Sequence, residues 1–455
     1  MSPRKRTLVP LAALVVAGWG CAPAAAIHAT PTIDPATAAA LFGTVGDARL
    51  SAGSKIRHIV VILQENRSMD DLFHGFPGAD TRPYGYDSSG NKIALTPEPL
   101  EAPYQLDHSS TAFFTDCNGT GSLPGTSCRM NGFTGEECLP SCPQDPQYGY
   151  VPHDETKPYF DLAHQYVLAD RMFTSHIDGS FVSHQYSIAG QASHAVDYPI
   201  SYWGCQAGPT DTVDTLTSER TYGAAESPCF DYETVADELG AAGYTWRSYA
   251  SGEDEDGWLW SMFQAIKHIR HSSLWKADVI SPQTRIFKDI RSGYLANVTW
   301  VSPTCATSDH GGCGGNAGPS WVGRIVDAVG ESPFWDSTAI FVYWDEWGGW
   351  YDHVPPPYVD YDGLGARVPL LAISPYAKAG YVSHVQYEHG SVLKFIEDTF
   401  GLRRLAASDG RANSPGPDCF DFAQSPRPFQ HIKTKYSEDD LMRLHAPGPL
   451  PPDMD

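Results

Sequence analysis

Three uninterrupted apolar runs constrain this chain more than any other feature. His58-Ile59-Val60-Val61-Ile62-Leu63, Ala339-Ile340-Phe341-Val342-Tyr343 and Val368-Pro369-Leu370-Leu371-Ala372-Ile373 show none of the alternation of a half-exposed strand. Successive strand side chains point to opposite faces, so a run that is apolar at nearly every position must be covered on both, as in parallel sheets. Weaker strands are read at 244–249 and 298–302, and helical patterns at 159–165, 232–242, 257–269, 321–329 and 391–400. Alternating strands and helices predict an α/β fold, a doubly wound, mostly parallel sheet flanked by helices. The stretches 84–157 and 200–230 are rich in Pro, Gly, Ser and Cys and read as disulfide-pinned insertions.

The N-terminus reads as an address. Arg4, Lys5 and Arg6 precede an apolar run at 8–16, and Ala24-Ala25-Ala26 offers a cleavage site before Ile27. Cys21 follows a glycine, as in a lipidation motif, but Trp19 suits such a motif poorly, so plain cleavage is favoured. The expected plan is a signal peptide at 1–26, a lead-in at 27–55, a catalytic domain at 56–425 with a cap-like insertion at 200–275, and a tail at 426–455. A secreted or periplasmic location follows. No later segment approaches the roughly 18 apolar residues of a membrane span, so no transmembrane segment is expected.

In an exported chain cysteines read as disulfides. Local spacing pairs Cys205 with Cys229 and Cys305 with Cys313, puts two bridges among Cys117, Cys128, Cys138 and Cys142, and leaves Cys419 over. There is no CxxC pair and no histidine at zinc spacing, which disfavours a structural zinc site. With 12% aromatic residues, disorder is excluded as the main state. The 54 acidic residues against 31 basic ones give a net charge of −23, which disfavours nucleic acid as a partner. Loss of the basic leader makes the mature chain more acidic still. That acidity suits cation binding and, equally, plain solubility.

In doubly wound sheets ligands bind beyond the carboxyl ends of the strands. The first run exits into Glu65-Asn66, the second into Asp345-Glu346 with Asp352-His353 after it, and the 298–302 strand leads to Asp309-His310. The third leads to His384, Glu388 and His389, so four exits of one sheet present polar groups. One acid at a strand exit is ordinarily a helix cap. Acids and an amide at several exits make an oxygen-rich site for one divalent metal ion, with calcium, magnesium, manganese and zinc all admissible. Ser180, after Asp178-Gly179 and before a helix start, is either an N-cap or a nucleophile activated by that metal. Neither a GxSxG elbow nor an HExxH motif occurs, which argues against an esterase triad and a zincin.

These residues resemble the bacterial phospholipase C/acid phosphatase phosphoesterase family, which includes plant non-specific phospholipases C and belongs to the alkaline phosphatase superfamily. Ile62-Leu63-Gln64-Glu65-Asn66-Arg67-Ser68-Met69-Asp70 followed by Phe73-His74-Gly75 is similar to its opening signature. In order come Leu168-Ala169-Asp170-Arg171-Met172-Phe173, Ser180, Trp300-Val301-Ser302-Pro303 with Asp309-His310, Tyr343-Trp344-Asp345-Glu346-Trp347-Gly348-Gly349-Trp350-Tyr351-Asp352-His353, Arg367-Val368-Pro369 and His389-Gly390-Ser391. The resemblance covers roughly 56–425 and implies an alkaline-phosphatase-like fold. It implies one divalent metal held by Glu65, Asn66, Ser180, Asp345 and Glu346, with Ser180 as nucleophile and Ser183 as its fallback. It implies His310 and His389 as catalytic histidines, with His108 and His353 as further phosphate-binding candidates. Where the family has Pro after Asp-His, this chain has Gly311-Gly312-Cys313, pointing to a loop reshaped by a disulfide.

The resulting expectation is a secreted metal-dependent phosphoesterase working through a phosphoserine, foremost a phospholipase C on phosphatidylcholine-type lipids. A broad acid phosphatase on small phosphomonoesters is the alternative. Trp203, Trp246, Trp258, Trp260, Phe263 and Trp275 are candidates for a pocket wall, although core packing explains most of them equally well. A carbohydrate-binding protein on a degenerate scaffold is the reading of another class. Retention of Glu65, Asn66, Asp345 and Glu346 disfavours it.

Overall fold

The strand expected at 58–63 is β1, His58–Gln64, and it lies in the middle of the main sheet. The computed structural model describes residues 55–444 except 198, 200–202 and 254–256. The expected signal peptide, nearly all of the lead-in and the end of the tail lie outside the described residues. The other strands are β2 Val167–Phe173, β3 Trp246–Tyr249, β4 Val279–Ile280, β5 Val298–Val301, β6 Thr338–Trp344, β7 Arg367–Ile373, β8 Tyr381–Ser383 and β9 Tyr387–Glu388. Their order is β4-β3-β5-β1-β6-β7-β2-β8, with β9 also beside β2. Every residue of β6 and β7 is buried, as is all of β1 but its first, so both faces of the sheet centre are covered.

The helices that matter for the site are α1 Ser110–Cys117, α2 Lys157–Gln165, α3 Ser180–Ala189, α4 Val235–Ala242, α5 Gly318–Gly330 and α6 His389–Phe400. Among the described residues no helix is long and apolar enough to cross a membrane. The bridges are Cys117–Cys128, Cys138–Cys142, Cys205–Cys229 and Cys305–Cys313, and Cys419 is a buried free thiol. Buried Arg220 ties the insertions together, donating to the carbonyls of Pro124, Gly125, Asp360, Tyr361 and Gly363.

The structure departs from the sequence reading in four places. First, β7 runs antiparallel to both β6 and β2, so its carboxyl end lies at the opposite edge from those of β1 and β6. The chain returns to the site edge through β8 and β9, parallel to β2, and His389 follows β9. Second, 167–173 is a core strand. Its buried Asp170 accepts the Asp80 N–H at 2.7 Å and contacts His384 Nδ1 at 2.9 Å, so a charge sits inside a strand with its partners. Third, 257–269 is two 3-10 turns, Trp258–Trp260 and Met262–Ala265, before the short helix Lys267–Arg270. Fourth, the 200–275 stretch supplies β3 to the main sheet. The tail lies along α5, where Ile432 N–H donates to Asp327 at 2.8 Å.

Arg367 opens β7 with no exposure and joins Asp352 through Nε at 3.0 Å and Nη2 at 3.0 Å. Its Nη1 donates to the carbonyls of Asp80 and Asp170, which locks β2 and the loop after β6 to one cation. Removing one partner leaves the other buried charge uncompensated. Arg367→Met should therefore lower unfolding free energy by about 3–5 kcal/mol in urea titrations. Paired Arg367→Met, Asp352→Leu should recover part of that loss.

Candidate active site

Strand register brings the acids together. Gln64 of β1 faces Trp344 of β6, and Asp345 N–H extends the ladder to Gln64 O at 2.9 Å. Glu65 and Asp345 thus leave neighbouring parallel strands side by side. Asp345 Oδ1 accepts N–H bonds from Asn66 at 3.1 Å and Glu346 at 2.8 Å. Its Oδ2 is buried with no hydrogen-bond partner.

Asn66 holds this position with φ of 62°, a left-handed conformation uncommon outside glycine. Gly348 (φ 63°) makes the room, because a Cβ there would lie 2.5 Å from Asn66 O. His108 sets the amide. Its Nδ1 lies 2.7 Å from Leu106 O and so carries the proton, which leaves Nε2 to accept from Asn66 Nδ2 at 3.1 Å. The other end of the amide, Oδ1, is buried with no hydrogen-bond partner.

Helix α3 supplies the third side. Gly179 occupies its N-cap position without a side-chain cap, and Ser180 is the first helical residue. The Ser180 hydroxyl therefore does not cap the helix; it donates to Glu65 Oε2 at 3.3 Å. Residues three and four along share a helical face. Ser183 Oγ donates to Asp345 O at 2.9 Å, and His184 Nε2 lies 2.9 Å from Glu65 Oε1 and 3.8 Å from Asp345 Oδ2. Ligating atoms of Glu65, His184 and Asp345 all fall within 4.8 Å of one another.

This donor set fits a divalent cation. Buried oxygens of Asn66 and Asp345 lack proton donors, and Glu65 and Ser180 stand beside them. A desolvated oxygen left unpaired is costly unless a positive charge meets it. Glu346 stands on the His108 side: its Oε2 accepts Gly348 N–H at 2.6 Å, and its Oε1 lies 3.9 Å from His108 Nε2.

The expected histidines fall in different settings. His310 packs edge-on against His108, with centroids 5.7 Å apart, and stacks on Trp260 at 5.8 Å. Its Nδ1 bonds Gly311 O. Beside it, Asp309 Oδ2 accepts from Tyr159 at 2.7 Å and Trp344 Nε1 at 2.9 Å, and burial raises that carboxyl to about 6. Arg67 Nε holds the Asp309 carbonyl at 2.8 Å. His389 opens α6, with Tyr343 and His176 rings 5.5 and 5.6 Å away. His353 is engaged by two other acids, Asp70 at 2.6 Å and Asp80 at 3.2 Å. Burial works against its proton, but Asp70 and Asp352 outweigh burial and hold it above the usual histidine value. Of the aromatics, Trp203 packs on Phe181 and His184, and Trp260 on His310. Trp246 and Phe263 pack on Trp300 in the core, and Trp275 lies under Arg270.

Two residues beside this cluster were not singled out from sequence, His184 and His176, and Asp309 was named there only as the neighbour of His310. For His184 the signal was its spacing of four from Ser180 on one helix. Nothing local marks His176.

The model of the phosphoesterase family matches residues 56–403. A hemolytic phospholipase C of Pseudomonas aeruginosa is 25% identical over 417 residues, 78% of this chain and 54% of its own length, so the chain spans about half of that relative. Phospholipase C B of Mycobacterium tuberculosis is 28% identical over 432 residues, 82% of this chain and 79% of its own. A solved protein in the alkaline phosphatase superfamily from Vibrio parahaemolyticus aligns with a TM-score of 0.37 at 10% identity, covering 80% of this chain and 72% of that one.

Burial pushes His389 down to about 4 from its usual 6.5, against the pull of Asp345. The unfolded chain binds this proton first, so stability present near pH 7 is lost as pH falls from about 6.5 to 4, by on the order of 3 kcal/mol. In His389→Gln, urea midpoints should fall less steeply between pH 7 and 4 than in the parent.

Proposed function

This chain belongs to the phosphoesterase family, and on that premise we propose that it hydrolyses phosphate esters with one divalent metal ion and Ser180 as nucleophile. The first substrate class is phosphatidylcholine-type phospholipid, cleaved as a phospholipase C cleaves it. The observation that carries this reading is the convergence of Ser180 Oγ, 3.3 Å from Glu65 Oε2, with the unsatisfied oxygens of Asn66 and Asp345. A bland scaffold has no reason to bury these four groups together.

The cation would be held by Glu65, Asn66, Asp345 and Ser180, with Glu346 beside them, and would supply the positive charge that favours the Ser180 alkoxide. The rest falls to the chain's own groups. Glu65 takes the Ser180 hydrogen bond and orients Oγ for in-line attack on phosphorus. The position of Ser180 at the start of α3 brings backbone N–H groups toward the phosphate oxygens. His310, whose Nδ1 bonds Gly311 O and whose ring packs against His108, would give the leaving alkoxide its proton. Buried His389 is neutral near pH 7 and is the weaker candidate for that proton. Attack by Ser180 forms the phosphoserine and breaks the bond to the leaving oxygen. Water then reverses the path, and His310 accepts its proton. Trp260, stacked on His310, borders the leaving-group side, which in a phospholipase C cleavage takes the diacylglycerol, and its apolar ring suits that part of the lipid.

The test is hydrolysis of phosphatidylcholine, p-nitrophenyl phosphorylcholine and p-nitrophenyl phosphate, with and without chelator. Cleavage of the two choline esters, lost on chelation and restored by metal, is the expected outcome. Turnover of the monoester alone would make the chain a phosphatase. Ser180→Ala should lower turnover at least about a thousandfold with an unchanged circular dichroism spectrum. Full activity in that variant would refute the nucleophile.

A further inference from the structure

Behind the cluster runs a chain of hydrogen bonds with a fixed direction. Asp178 N–H donates to His176 Nδ1 at 3.0 Å, so that nitrogen carries a lone pair. A neutral imidazole with Nδ1 accepting carries its proton on Nε2. His176 Nε2 lies 2.8 Å from Ser183 Oγ and therefore donates to it. Ser183 Oγ in turn donates to the carbonyl of Asp345 at 2.9 Å. Each group has one way to point. His176 and Ser183 are both buried, so water does not compete for these bonds.

We infer that His176 and Ser183 are positioning residues: the relay from the Asp178 backbone through them to the Asp345 carbonyl sets the spacing between the Ser180 helix and the acids at the strand exits. The inference rests on the proposed metal-dependent reaction and adds to it a way of holding the donors. Asp345 shows the effect. Its N–H goes to Gln64, its Oδ1 to two backbone N–H groups and its carbonyl to Ser183. Only Oδ2 is left over, and it is left over in one orientation. Outer partners of ligand groups fix the direction of the donated lone pair, and their loss typically weakens metal binding about 10- to 100-fold. Ser183 also differs from Ser180 in kind. Its hydroxyl proton is committed to a carbonyl and its lone pair to an imidazole, so it serves as a strut while Ser180 keeps the acid-facing hydroxyl.

The experiment is calorimetric titration of the chelator-stripped chain with Mn2+, alongside kcat and KM for p-nitrophenyl phosphorylcholine. The variants are Ser183→Ala, Ser183→Thr, His176→Phe and His176→Gln. Ser183→Ala and His176→Phe should bind Mn2+ at least about tenfold more weakly and lower kcat with KM within twofold. Ser183→Thr, which keeps the hydroxyl, and His176→Gln, which keeps a donor, should recover much of both. Near-ultraviolet circular dichroism and thermal melting separate a misfolded variant from a mispositioned one. A folded Ser183→Ala that binds Mn2+ and turns over as the parent does overturns the positioning role alone. A parent chain that takes up no Mn2+, Zn2+ or Ca2+ overturns the metal-dependent reading beneath it.

Discussion

The parallel register of β1 against β6 is the constraint from which the rest follows. Because Gln64 stands opposite Trp344, the next residue on each strand is an acid at the same height. One residue of slip would turn every side chain of β1 to the other face and carry Glu65 away from Asp345. The two strands are buried on both faces, so that slip would also disrupt packing throughout the core. The core thereby enforces a geometry that the acids alone would resist, since like charges in a dry setting repel.

How buried acids are compensated differs across the molecule. Several buried acids away from the rim have an arginine beside them: Arg67 pairs with Asp71, and Arg367 with Asp352 and Asp70. At the rim, the imidazole of His184 lies beside Glu65 and Asp345. An arginine placed there would fill with its own charge the place a cation needs. The second acidic group, Asp70, Asp352 and His353, has the right residue types for a metal but already contains the Arg367 guanidinium.

Much of this was legible in the chain. The runs at 58–63, 339–343 and 368–373 announced buried strands because both faces were apolar, and the acids that follow the first two mark a rim. Periodicity carries no direction, so the reversal of β7 was invisible, and with it the route by which the chain comes back to His389. The strand at 167–173 hid behind Asp170 and Arg171, charges whose partners Asp80 and His384 are far away in sequence. The helical pattern read at 257–269 resolves instead into two 3-10 turns and a short helix, entered at Gly257 in a left-handed conformation. The disulfides followed local spacing because each closes a short loop. Residues such as His176 gave no signal, since their role lies in which atom donates to which.

The bridge between Cys305 and Cys313 spans Asp309 and His310. The eight residues between the end of strand β5 at Val301 and His310 would otherwise sample many shapes, and closing 305–313 into a ring removes most of them before the fold is complete. That closure exists only where thiols are oxidised. The placement of His310 is thus conditioned on the redox state around the chain. A copy of this chain retained among reducing thiols could keep its sheet, its acids and its serine and still hold the loop around His310 slackly.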